Sequence, residues 1–155
     1  MERAAERVAV EREIEIAASP ETVWSYLVDP VKAHRWWGRA ISLDLRPGGA
    51  LRVEVTMGSV ASGVVLEVDP PRRLVYTWGW EVGGGGPELV PPGSSTVEIE
   101  LVPSGEATTV RLVHRDLPGP ESAEAHAQGW EHYLSRLATA AAGGDPGPDP
   151  WQSTD

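Results

Sequence analysis

PESAEAHAQGWEHYLSRLATAAA, Pro120 to Ala142, is the stretch on which the fold turns. His126, Trp130, Tyr133, Leu134, Leu137 and Ala141 recur along it at spacings of three and four, the apolar stripe of one long helix. Pro120 suits the first helical position, and Glu121 and Glu124 favour the positive end of the helix dipole. A helix with a single apolar stripe needs a surface to cover. The residues before it supply a sheet.

From Gly38 to Arg115 the apolar period is two. Leu51, Val53, Val55 and Met57 alternate with Arg52, Glu54 and Thr56, and Val64, Leu66 and Val68 are expected to point inward with Glu67 outward. Asp69-Pro70-Pro71-Arg72 reads as a turn. The next strand carries Leu74, Tyr76, Trp78 and Trp80 on one face, and Val97, Ile99 and Leu101 continue the sheet. Pro103-Ser104-Gly105 turns the chain again, and Val110, Leu112 and His114 then alternate with Arg111 and Arg115. Upstream, Val8, Val10, Ile14 and Ile16 form one face of a strand whose other face is Glu11, Glu13 and Glu15; Arg12 is the exception on the apolar side. Ser19-Pro20-Glu21 opens a helix and Asp29-Pro30 a second, stopped by Gly38. The order is strand, two short helices, an antiparallel meander and one long helix, an α+β architecture of six to seven strands rather than a βαβ repeat.

The composition narrows the function. The 155 residues fit one domain, expected over 8–142, with a flexible N-terminus at 1–7 and a disordered acidic Gly/Pro tail at 143–155. With 17 Gly and 14 Pro the chain stays below low-complexity composition, and with 0 Cys it has no disulfide scaffold, thiolate metal site or cysteine nucleophile. A formal net charge of -10 opposes nucleic acid and anionic membrane as partners. Met1 to Arg7 has no apolar core of a signal peptide, so a cytoplasmic location is expected. The aromatic content is 7 Trp and 3 Tyr with 0 Phe.

The segments ASPETVW (Ala18–Trp24), HRWWG (His34–Gly38), RPGG (Arg46–Gly49), EVDPPRRLVYTW (Glu67–Trp78), VRLVH (Val110–His114) and GWEHYLSRL (Gly129–Leu137) together resemble the SRPBCC superfamily. This is the START-like, birch-pollen-allergen-like helix-grip fold, and the likeness is closest to the homologues of the heat-shock-protein-90 ATPase activator. The resemblance implies a curved antiparallel sheet gripping the long helix, with a cavity between them. It implies a small apolar or aromatic molecule as partner, a chaperone as the alternative partner, and a cyclase-like or hydrolase-like activity as a third reading. Either a monomer or a homodimer is compatible with it.

The candidate ligand-binding residues follow from the inward positions: Trp36, Trp37, Tyr76, Trp78, Trp80, His114, His126, Trp130 and Tyr133. So many rings on consecutive inward positions make either an overfilled core or the wall of an aromatic cavity, and the wall is the reading adopted. Trp24 reads as core. His114 and His126 either fill gaps and bond backbone carbonyls or contact a ligand. His126 and His132 stand about 120° apart around a helix, which does not suit a metal; no metal or cofactor is expected. There is no nucleophile elbow or phosphate loop, and Gly83 to Gly86 lacks the Lys and Ser/Thr that phosphate needs. That leaves a binding protein favoured over an enzyme. A polar catalyst would come from His114, His126 or Arg12. The Gly-rich loop at 82–93 is either a lid or an insertion.

Overall fold

The computed structural model describes residues 8–84 and 89–152. Strand β1 (Val8–Ile16) leads into helices α1 (Pro20–Val28) and α2 (Pro30–Ala33). Six strands follow, β2 (Ala40–Leu43), β3 (Ala50–Thr56), β4 (Ser59–Asp69), β5 (Arg73–Val82), β6 (Ser95–Ser104) and β7 (Ala107–Leu117), and then helix α3 (Pro120–Ala141). All seven strands form one sheet in the order β1-β7-β6-β5-β4-β3-β2, antiparallel throughout. This is the expected α+β helix-grip fold. Because β1 and β2 lie on opposite edges, the α1-α2 connection has to traverse the sheet. That traverse brings the Trp36-Trp37 corner beside the rings of β5.

Local chemistry sets the ends of the two short helices. Ser19 Oγ accepts from the Thr22 amide at 3.2 Å, and Asp29 Oδ1 accepts from the Val31 amide at 3.0 Å, so each helix starts on a capped donor followed by Pro. Helix α2 ends at Ala33 with His34 as its C-cap, short of the stop expected at Gly38; Gly38, with φ at +76°, instead turns the chain into β2 in a conformation that other residues adopt only at a cost. The stripe of α3 is buried as its spacing requires: His126, Trp130, Tyr133, Leu134, Leu137 and Ala141 all face the sheet side. Its N-terminal Gly119 makes no side-chain cap, so packing of the stripe is what holds this helix.

Two inward assignments on the sheet are reversed. Val65 is 0% exposed while Val64 and Leu66 are 43% and 49% exposed, opposite to the alternation expected for β4. The register of β4 on β5 shifts between Val60 and Ala61 and again between Val65 and Glu67. Each irregularity breaks the alternation, and the unbroken apolar run Val64-Val65-Leu66 gave periodicity no face to choose. Met57 lies in the turn after β3 and is exposed. Arg12 stays on the α3 side of β1 and pairs there with Glu131, Nη2 to Oε2 at 2.8 Å.

The segment after α3 also differs from the disorder expected for it. Arg136 donates from Nη1 to the Pro146 carbonyl at 3.3 Å and from Nη2 to the Gly147 carbonyl at 2.9 Å. Two Asx turns shape the backbone, with Asp145 Oδ1 accepting from the Gly147 amide and Asp149 Oδ1 from the Trp151 amide. Gln152 Nε2 then reaches the Val55 carbonyl on β3 at 2.5 Å. Residues 143–152 therefore run from α3 back to the sheet. Residues 1–7 and the last three of the tail lie outside the described residues. Among the described residues no helix is long and apolar enough to cross a membrane.

Candidate functional site

Between β5 and α3 lies a cavity of about 180 Å³. Its walls include Trp37 from the corner after α2, Trp78 and Trp80 from β5, and His126, Trp130 and Tyr133 from α3. Six of the nine residues expected to contact a ligand meet here. Trp36 and Tyr76 line a separate void of about 20 Å³ with Leu27, Leu51 and Ile99. His114, 0% exposed, sits behind Trp130 and Trp78 and faces neither space. The rings surround two voids of unequal size rather than one.

The rings are ordered by stacking. Trp36 lies on Trp37 with centroids 5.2 Å apart and planes at 11°, and Trp37 on Trp78 at 5.7 Å and 18°. Trp80 meets Trp78 edge-on at 5.4 Å, and Trp130 is 6.0 Å from both Trp37 and Trp78. These offset and T-shaped arrangements are those that aromatic quadrupoles favour.

Hydrogen bonding fixes both inward histidines in neutral tautomers. An indole N–H can only donate. Trp130 Nε1 therefore donates to His114 Nδ1 at 3.0 Å, which leaves the proton on Nε2; that proton goes to Ser95 Oγ at 2.8 Å, and Ser95 Oγ donates in turn to the Trp78 carbonyl at 2.7 Å. Likewise Trp80 Nε1 donates to His126 Nε2 at 3.0 Å, and His126 Nδ1–H donates to the Ser122 carbonyl at 2.8 Å. Burial, with the neighbouring His126 ring 4.7 Å away adding to it, pushes His114 down to about 2. Burial also lowers His126, against the opposing bond to Ser122. Both imidazoles have spent their lone pairs on indoles. Neither is a free base, and Arg12 is not among the cavity's walls.

The walls that sequence reasoning missed are Val55, Thr56, Ser59, Gly84, Ala125, Gly129 and Trp151. Trp151 stacks on His132 with centroids 3.9 Å apart and planes at 11°. Asp149 holds it there, accepting from the Tyr133 hydroxyl at 2.8 Å and bonded to His132 Nε2 at 2.7 Å. Burial disfavours the Asp149 carboxylate, but the hydrogen bonds from the Trp151 amide, Tyr133 and His132 outweigh it and keep the carboxyl below its usual range. The Asp-Pro-Gly and Asp-Pro-Trp sequences at 145–147 and 149–151 were the available signal, since Asp before a free amide two residues on forms an Asx turn. Gly84, at φ +72°, packs against the Trp80 ring, where an added Cβ would lie 2.4 Å from Cε3. The middle of the 82–93 loop, residues 85–88, lies outside the described residues, and with it the question of a lid.

No Asp, Glu, Lys or Arg is among the cavity's lining residues. The polar side-chain groups on these residues are the hydroxyls of Thr56 and Ser59, the indole N–H groups of Trp37, Trp151 and Trp78, the last of them buried, and groups already hydrogen-bonded within the protein. Among the described residues no cluster of three or more acidic or imidazole ligands could hold a metal.

Comparison with known proteins agrees with this architecture. The family model for the Activator of Hsp90 ATPase homolog 1-like protein matches residues 17–142. The AHSA1-like protein of Rhizobium etli, solved by solution NMR, shares 45% identity over 100% of this chain and 95% of its own, with a TM-score of 0.77. CalU16 from Micromonospora echinospora shares 28% identity over 91% of this chain and 88% of its own, at 0.68. An HSP90 activator from Plasmodium falciparum, at 21% identity, 83% and 92% coverage and 0.68, shares the fold. No curated protein matches the sequence. With its helix-grip sheet and a family match that runs from just after β1 to the end of α3, the chain belongs to the Activator of Hsp90 ATPase homolog 1-like family of the SRPBCC superfamily.

Proposed function

We propose that the protein binds a small, neutral, apolar or aromatic molecule in the cavity between β5 and α3. The observation that carries this is a void of about 180 Å³ walled by five tryptophans with no charged side chain among its lining. A dry apolar cavity of about 150 Å³ is enough to take benzene, so this one accommodates a substituted single ring or two small fused rings. An ionic ligand would find no counter-charge there and would lose its hydration without replacement. Binding is favoured over turnover because the two imidazoles nearest the rings are engaged as acceptors of indole N–H groups.

The 7 tryptophans provide their own reporters. In a heteronuclear NMR titration with indane, the indole N–H signals of Trp37, Trp80, Trp130 and Trp151 should move and that of Trp24 should not. Absence of any movement up to the solubility of indane would remove the reading.

The family match favours one second reading, a domain that stimulates a chaperone ATPase. It requires a rise in the hydrolysis rate when the pure protein is added to the Hsp90-type chaperone of the same cell. An unchanged rate would eliminate it.

A further inference from the structure

Four of the inward indoles differ in what their N–H groups touch. Trp36 Nε1 donates to the Tyr26 carbonyl at 2.8 Å, Trp80 to His126 and Trp130 to His114, each at 3.0 Å. Trp78, 3% exposed and a wall of the cavity, has a buried Nε1 with no hydrogen-bond partner among the described residues. Leaving such a donor unpaired is costly, and most buried indole N–H groups find an acceptor. Three acceptors on neighbouring groups are already engaged. His114 Nδ1 and His126 Nε2 each receive an indole proton, and the Trp78 carbonyl receives the Ser95 hydroxyl. The indole N–H groups of Trp36, Trp80 and Trp130, by contrast, are each satisfied by a partner built into α1, α3 or β7.

Building on the reading of the cavity as a ligand site, we propose that Trp78 Nε1–H is its polar anchor and that the ligand is a neutral one- or two-ring molecule bearing an acceptor oxygen of the carbonyl type. The acceptor would supply the partner that the protein withholds. Its ring would lie among Trp37, Trp80 and Trp130, whose faces and edges leave no charged group to compete for it. A pure hydrocarbon would fill the same space and leave the donor unpaired. A carboxylate would satisfy the donor and bury an uncompensated charge.

The test is a double-mutant cycle by calorimetry, using indane and 1-indanone on the parent protein and on Trp78→Phe, which keeps an aromatic ring and removes the N–H. The ratio of the indane to the 1-indanone dissociation constant should fall about tenfold on substitution, the size expected for one hydrogen bond to a buried donor. An equal change for both probes would overturn the anchor while leaving the cavity reading intact, and binding of neither probe to the parent would overturn both. Should Trp78→Phe fold poorly, the parent decides alone. On saturation with 1-indanone the Trp78 indole proton should move downfield as it gains an acceptor, with no such displacement from indane; the same displacement with both probes would refute the proposal.

Discussion

Acidification should unfold this protein in a pH range where most folded domains are still indifferent, because His114 is buried as a neutral group. In the native state its Nδ1 lone pair is occupied by the Trp130 N–H and the ring is held down to about 2, whereas in the unfolded chain it titrates near 6.5. Between those values the unfolded chain binds a proton that the native protein does not, so stability is full above about pH 6.5 and declines as the pH falls. Integrating from pH 7 to pH 5 gives a loss of about 2 kcal/mol from His114 alone. His126, lowered in the same direction, adds to it. The carboxylates held low by arginine or by the C-terminal segment, Glu98 and Asp149, lose their contribution only at lower pH, below the ordinary carboxylate value. Urea unfolding at a series of pH values, with the slope against denaturant held constant, measures this directly. His114→Gln is the control. Glutamine offers an acceptor for Trp130 and a donor for Ser95 without titrating, so the variant should start less stable at pH 7 and lose about 2 kcal/mol less on the way to pH 5. A parent stability that stays flat from pH 7 to pH 5 would refute the neutral, indole-capped imidazole, as would a variant with the parent's slope.

Other substitutions test separate parts of the structure. Asp149→Ala removes the acceptor shared by Tyr133, His132 and the Trp151 amide, so amide exchange at Gly147 and Trp151 should accelerate at least tenfold while protection in β6 and β7 is unchanged; equal loss in both would show the segment to be part of the global unit. Arg12→Ala should cost less than about 1 kcal/mol in unfolding free energy, since both partners of the Arg12–Glu131 pair are partly exposed, and a loss above 2 kcal/mol would assign Arg12 a buried role. Val65→Ala should cost about 2 kcal/mol, whereas Leu66→Lys should stay within about 0.5 kcal/mol, and the reverse order would restore the inward face first expected for β4.

Much of the fold was legible because its signals are periodic. The α3 stripe at three and four, the alternation of β7 and β6, and the Ser-Pro and Asp-Pro helix starts each correspond to a buried face or a capped amide in the structure. The failures occur where the signal is not periodic. In β4 an unbroken apolar run coincides with two register shifts, so no alternation could say which side was buried. The tail was read by composition, and composition does not register that Asp145 and Asp149 each close an Asx turn, or that Arg136, His132 and Tyr133 of α3 hydrogen-bond to the segment. For the site, inward direction was readable and depth was not. Strand alternation places Tyr76, Trp78 and His114 on the core side alike, but only Trp78 reaches the larger void, while His114 is consumed as the acceptor for Trp130. Those distinctions depend on which ring meets which across β5, β7 and α3, and pair relations of that kind are not carried by any one segment.

Gly129 offers the most direct test of the claim that the void serves a ligand rather than being a packing defect. It lies in the middle of α3, lines the cavity, and has nothing within 4 Å of the position its Cβ would take. Glycine inside a helix costs about 1 kcal/mol relative to a good helix former, so the position sacrifices stability to keep space open. Calorimetric titration of Gly129→Leu beside the parent, with the melting temperature of each recorded, should show a more stable protein that no longer binds 1-indanone. Undiminished binding by the filled variant, or a parent that never binds, would contradict the account.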